Sequence, residues 1–209
     1  MRLSIVRGSQ TKTAETAALL QDIGGGDRIR EMCTRFYAHF FVDRHLQQFR
    51  FEFDHSAAHG QRLGDWIVQK MGGEGDVWSK SGRHDMRQVS HSRAWHSPSR
   101  SPEDRGDRFS LTDCIVWMRL MFLAGRETGL AEHTVFWQFF QGFIGHFVAV
   151  YERSAPPHTR AAARWSKDTK RVELYREAGC YMEDILQDNL PPGRATTGTQ
   201  AVTATDTIT

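Results

Sequence analysis

The sequence predicts an all-α fold, and three observations predict it. Apolar residues recur at steps of three and four along most of the chain. Glycine and proline clusters fall between those stretches. The one alternating run, Phe49, Phe51 and Phe53, is too short for a strand and has no partner run to pair with. The length of 209 residues suits one domain with a substantial core and room for extensions.

The elements follow in order. Residues 1–22 read as a lead-in with a short helix over 14–20. Gly24, Gly25 and Gly26 make a flexible joint, and Asp27 is the expected cap of the next helix. In that helix Ile29, Met32, Cys33, Phe36, Tyr37, Phe40 and Phe41 form one face. The aromatic stretch after it is expected to be a turn or a single helical coil. A second helix runs over about 56–71, with His59, Leu63, Trp66 and Ile67 on one face. Gly72, Gly73 and Gly75 end it. Residues 76–96 are polar, rich in histidine and weakly periodic. Residues 97–109 are loop by their two prolines and a glycine. Ser110 and Asp113 have capping-box spacing, opening a helix whose face is Leu111, Cys114, Ile115, Met118, Met121 and Phe122. A long helix is expected over about 131–151, carrying Phe136, Phe139, Phe140, Phe143, Ile144, Phe147, Val148 and Tyr151, with Pro156 and Pro157 as its stop. One more helix is expected over about 169–187, with Val172, Tyr175, Cys180, Ile185 and Leu186. The Thr/Ala/Gly-rich tail from Pro191 is expected to be disordered. The divisions are therefore a lead-in at 1–22, a domain at 23–155, a C-terminal helical extension at 156–190 and a tail at 191–209.

Composition narrows the function. The chain is 39% hydrophobic and 25% charged, as in an ordinary globular protein. A net charge of +2 makes no electrostatic case for nucleic acid. No apolar run approaches the roughly 18 residues that span a bilayer, so no membrane role is expected and the cytoplasm is the expected location. The basic, Thr-containing start leaves organelle targeting open. Cys33, Cys114 and Cys180 lie far apart without a CxxC pair, which excludes a zinc ribbon or a redox motif. Cys33 and Cys114 sit among apolar residues and read as buried thiols of a reducing compartment.

Ten histidines and thirteen phenylalanines are both many for this length, and together they hint at an apolar pocket with nitrogen ligands. By itself an aromatic helix stripe is plain core, and a lone histidine such as His59 on it is ordinarily a satisfied core or rim residue. His55 and His59 have the i,i+4 spacing that can hold a divalent metal, but no third ligand follows in an HExxH-like pattern. On their own His84, His91 and His96 read as surface residues, and Tyr37 as a core aromatic with its hydroxyl at the surface.

The order of features, however, resembles the truncated haemoglobins. GGGDRIREMCTRFYAHFFVDRHLQQF is similar to that family's first core helix, with Phe36-Tyr37, Asp43 and the Phe49/Phe51 region in place. HGQRLGDWIVQKMGG is similar to its distal helix, through Arg62-Leu63, Trp66 and Gly72-Gly73. Trp78, His84 and His91 reproduce the following aromatic–histidine–proximal-histidine intervals. Trp117, in CIVWMRLMFLA, matches the later tryptophan of one subgroup. The resemblance covers about residues 24–96 and 110–152. The link over 97–109 is longer than the family's, and the chain continues well past the family's usual end.

The resemblance implies a globin-like, truncated 2-on-2 helical sandwich with a C-terminal helical extension, binding haem b. Haem is an apolar plate with a charged edge and needs a dry slot with one nitrogen ligand. That ligand would be His91, with His96 as the backup, and its second ring nitrogen would donate to a backbone carbonyl or a Ser hydroxyl. Tyr37 and His59 would donate to the bound gas, each hydrogen bond worth about 1 kcal/mol. Leu63 would wall the pocket, Trp117 add an indole N–H, Phe51 brace the plate and Arg62 pair with a propionate. His59 could instead be a sixth iron ligand.

Three functions are then in play. The first is a binder of dioxygen, nitric oxide or another small gas, for transport, storage, sensing or scavenging. The second is a nitric oxide dioxygenase or peroxidase-like enzyme, which would need an external reductase. The third is a haem-free helical interaction module.

Overall fold

The computed structural model describes residues 3–6, 8–51, 55–83, 86–183 and 185–186. These form an all-α bundle of eight α-helices linked by short 3-10 turns. Its one extended feature is a two-residue antiparallel ladder, β1 (Ile5–Val6) on β2 (Ser9–Gln10), with Ile5 opposite Gln10.

Helix α1 (Ala14–Asp22) starts on a reciprocal cap. The Thr13 hydroxyl accepts from the Thr16 N–H at 3.2 Å, and the Thr16 hydroxyl accepts from the Thr13 N–H at 2.9 Å. Leu19 and Leu20 then bury into the main core, so part of the lead-in packs with the domain.

Helix α2 (Gly26–Val42) begins one residue before the expected cap. Its N-cap is Gly25 at φ 87°, a conformation L residues rarely adopt, and no side chain caps it. Asp27 therefore lies inside the first turn, where its carboxylate accepts from Arg30 at 2.9 Å. Buried Ile29, Met32, Cys33 and Phe36 face the core.

Helix α3 (Ser56–Met71) packs closely along α2. A Cβ on Gly60 would lie 2.4 Å from Thr34 Cα, and one on Gly64 would lie 2.8 Å from Arg30 Cα, so only glycine permits this approach. Arg30 ties the pair together. Its Nε donates to Asp65 at 2.7 Å, and its terminal nitrogens reach Asp27 and Glu74. Gly72 ends α3 in the left-handed region (φ 93°), as expected.

A wide turn at Ser79–Arg83 leads to α4 (Met86–Trp95). Residues 97–109 are irregular, as their composition predicts. They are nonetheless held in place: Arg100 donates to the Trp95 and Asp107 carbonyls at 3.1 and 2.6 Å, and Gly106 N–H donates to Trp95 at 2.9 Å.

The Ser110/Asp113 capping box is present and opens α5 (Leu111–Glu127), the most buried helix of the bundle. Next, α6 (Thr134–Val148) starts later than expected. A 3-10 turn at Leu130–Glu132 precedes it, and the His133 ring caps it by accepting from Phe136 N–H at 3.1 Å. It also ends before Pro156. The Pro156–His158 segment is itself a 3-10 turn that leads into α7 (Thr159–Trp165), so these prolines start a helix rather than stop one. The Ala/Arg composition of α7 carries too few apolar side chains to show in the periodicity. Finally, α8 (Thr169–Glu177) is shorter than expected because Gly179, at φ 68°, breaks it.

Helices α7 and α8 pack into the same core: Ala162, Trp165, Val172 and Tyr175 are buried with it. Cys33 and Cys114 are buried free thiols, and Cys180 is half-buried and free. The structure of the tail from Pro191, and of Phe53, His84 and Gln187, lies outside the described residues. No helix among the described residues is long and apolar enough to cross a membrane.

Candidate functional site

An apolar cavity of about 230 Å³ lies between α2, α3, α4, α5 and α6. One buried water needs only roughly 10–15 Å³, so this space is far larger than a single water site. Seven of the residues singled out from the sequence line it: Tyr37, Phe51, His59, Arg62, Leu63, His91 and Trp117. They come from four helices and one loop, which the α2–α3 glycine contact and the α5 core bring to a common space.

The lining falls into clusters. Where α2 meets α3, the His59 ring sits 5.0 Å from Tyr37 and 5.1 Å from Phe41. Trp117, from α5, packs edge-on against Phe36 at 5.2 Å. Trp66 and Phe147 form a wall at 4.6 Å, with the Arg87 guanidinium over both rings. In the third cluster His91 meets Phe109 at 5.8 Å and Tyr151 at 4.6 Å.

His91 is the best-defined polar group of the site. Its Nδ1 is 2.9 Å from the Tyr151 hydroxyl, leaving Nε2 as the ring nitrogen available to a ligand. The sequence reading expected a backbone carbonyl or a serine as this partner, and the structure supplies a phenol instead. In the sequence Tyr151 shows only as the end of an aromatic helix face. Its spacing was visible, but the target of its hydroxyl depends on how α4 docks. Burial first, and the Arg87 charge second, push the His91 imidazole down to about 4, so the ring is neutral near neutral pH. Burial likewise pushes the Tyr151 phenol up to about 12 and the Cys114 thiol, beside the Asp113 charge, up to about 12.

Arg50, Arg62, Arg83 and Arg87 all line the cavity half-buried, and of these the resemblance points only to Arg62. Among the described residues Asp113 is the carboxylate in the lining. It accepts from Ser110 N–H at 2.6 Å and meets His45 Nε2 at 2.6 Å, and this bond raises the His45 imidazole above its usual range.

The other candidates fall elsewhere. His96, the backup ligand, is exposed and its Nδ1 turns to the Ser92 carbonyl at 2.8 Å. It follows α4 at the start of the 97–109 loop, outside the cavity lining. His55 is exposed, and among the described residues no three His, Cys, Asp or Glu side chains gather as an all-protein metal site.

Fold and site together define a class: an all-α protein with an aromatic, arginine-bearing cavity and two histidines in its wall, of which His91 is held neutral. Comparison with protein-family models, with curated proteins and with solved structures finds no match to this chain.

Proposed function

We propose that this chain is a haem-binding globin of the truncated-haemoglobin type, and that its cavity receives haem b. The observation that carries the reading is the convergence of seven sequence-derived residues on one cavity. The donor set suits the group. An aromatic slot shields a flat macrocycle, half-buried arginines suit its carboxylate edge, and a neutral imidazole with its second nitrogen already engaged suits iron ligation. On this reading α2 and α3 form one helix pair of a 2-on-2 sandwich and α5 and α6 the other.

When bound, the haem iron supplies reversible capture of dioxygen, nitric oxide or a similar gas. The chain's own residues do the rest. His91 holds the group through Nε2. Tyr37 and His59, adjacent in the wall, offer a hydroxyl and a ring N–H to a polar guest. Leu63 and Phe51 exclude water from the slot, and Arg62 with Arg87 neutralises carboxylates.

The test is an absorption spectrum of the purified chain titrated with haem. The expected outcome is a saturable Soret band at one haem per chain, with a ferrous spectrum that changes under oxygen, carbon monoxide or nitric oxide. A His91→Ala variant should fold and lose most haem affinity. A wild-type chain that binds no haem would leave the helical interaction module as the better reading. A His91→Ala variant with unchanged affinity and spectrum would remove the ligand assignment.

A further inference from the structure

Resting on that reading of His91, we infer that Tyr151 is the positioning residue for the ligand: its phenol oxygen accepts the Nδ1–H of His91 and keeps the ligand a neutral imidazole, selecting reversible gas binding over O–O bond cleavage. Three observations meet here. The two side chains are 2.9 Å apart through Nδ1 and the hydroxyl. Their rings pack edge-on at 4.6 Å, with Phe109 against both at 5.8 Å, so the phenol is fixed by packing as well as by the hydrogen bond. Among the described residues the carboxylate in the cavity lining is Asp113, and it is turned to Ser110 and His45.

The direction of the hydrogen bond follows from ligation. A ring that offers the Nε2 lone pair to iron must carry its proton on Nδ1, so His91 donates and Tyr151 accepts. The identity of the acceptor then sets the electronics. A carboxylate would draw the Nδ1 proton toward itself and make the ring a strong electron donor, the condition that favours O–O cleavage at haem iron. A phenol carries no charge near neutral pH and draws the proton weakly. The second ring nitrogen is thus oriented but not strongly polarised. Tyr151 comes from the turn just after α6 and His91 from the middle of α4, so the bond also fixes the α4 ring against the core.

The test compares the haem-loaded full chain with its Tyr151→Phe variant, which keeps the ring and removes the oxygen. The expected result is retained folding and haem binding, haem loss faster by on the order of tenfold, a lower iron–histidine stretching frequency in the ferrous resonance Raman spectrum, and a higher iron reduction potential. Wild-type frequency and potential in that variant, while His91→Ala loses the iron–histidine band, would overturn the Tyr151 assignment alone. A His91→Ala variant that keeps the wild-type spectrum would overturn this inference together with the ligand reading it rests on. In the wild-type loaded protein the same bond predicts a His91 Nδ1 proton that exchanges slowly with solvent by NMR, and rapid exchange would also overturn it.

Discussion

Two side chains of α2 and α3, Tyr37 and His59, show how a residue's role here depends on its neighbours. Their rings are 5.0 Å apart and both line the cavity, so each brings a polar side chain to an apolar space. In such a space a single hydrogen bond to a polar guest contributes about 1 kcal/mol or somewhat more. Tyr37→Phe and His59→Leu variants of the haem-loaded protein should each release oxygen about tenfold faster in stopped-flow dissociation. Unchanged rates in both would mean that neither group reaches the guest. The same dependence explains the partner of His91. Serines flank it in sequence, and the hydrogen bond goes instead to a phenol sixty positions away in the chain. Sequence neighbours on a helix point to different sides, whereas Tyr151 is brought face to face with His91 by packing.

At the scale of elements, the cavity exists because α2 and α3 approach one another closely. Gly60 and Gly64 are spaced one turn apart on the face toward α2, where added side-chain atoms would meet the backbone of Thr34 and Arg30. Gly60→Val should cost about 3 kcal/mol or more, since overpacking against backbone cannot be relieved by a rotamer change. Chemical denaturation checks this. The variant should also lose haem affinity, because separating the helices moves His59 and Leu63 away from Tyr37. The 97–109 loop works differently. It has no regular structure, yet the Arg100 hydrogen bonds hold it, and it delivers Phe109 against His91 and Tyr151. The loop is thus built into the wall rather than left outside it.

Over the whole molecule, the C-terminal extension is fastened to the front of the chain by polar contacts, one of them buried. The Tyr175 hydroxyl donates to Asp43 at 3.0 Å, and Asp43 also accepts from the N–H groups of His45 and Leu46 at 2.9 and 2.8 Å. Glu127, at the end of α5, gathers Arg35 and His39 from α2 and Arg176 from α8 at 2.6, 2.7 and 2.8 Å. Burial acts to raise the Glu127 carboxyl, but His39 and Arg35 outweigh it and hold the group down at about 2, against an ordinary 4.5. The sign follows from linkage. A carboxylate depressed in the folded state stabilises fully above the unfolded value, and this contribution is lost as pH falls through the folded one. Stability should therefore decline between about pH 4.5 and about pH 2, and Glu127→Gln should flatten that part of the curve in acid titrations followed by circular dichroism. An identical slope in wild type and variant would assign the acid loss to other groups.

What the amino-acid pattern determined alone was local. Helix faces at three- and four-residue steps, the Ser110/Asp113 cap, the glycine end of α3 and the irregular 97–109 segment all follow from interactions between residues close in the chain, and the structure has them in place. The pattern read less well where packing outweighs propensity. A glycine rather than Asp27 caps α2, a histidine caps α6, prolines start a turn toward α7, and α7 itself is too alanine-rich to announce its face. Of the cavity, the order of Tyr37, His59, Leu63, His91 and Trp117 was legible through resemblance. Tertiary structure alone decided that these residues share one space, that three more arginines join Arg62 there, and that a phenol holds the imidazole. The physical reason is distance along the chain: periodicity reports which side of a helix faces inward, but not what it faces.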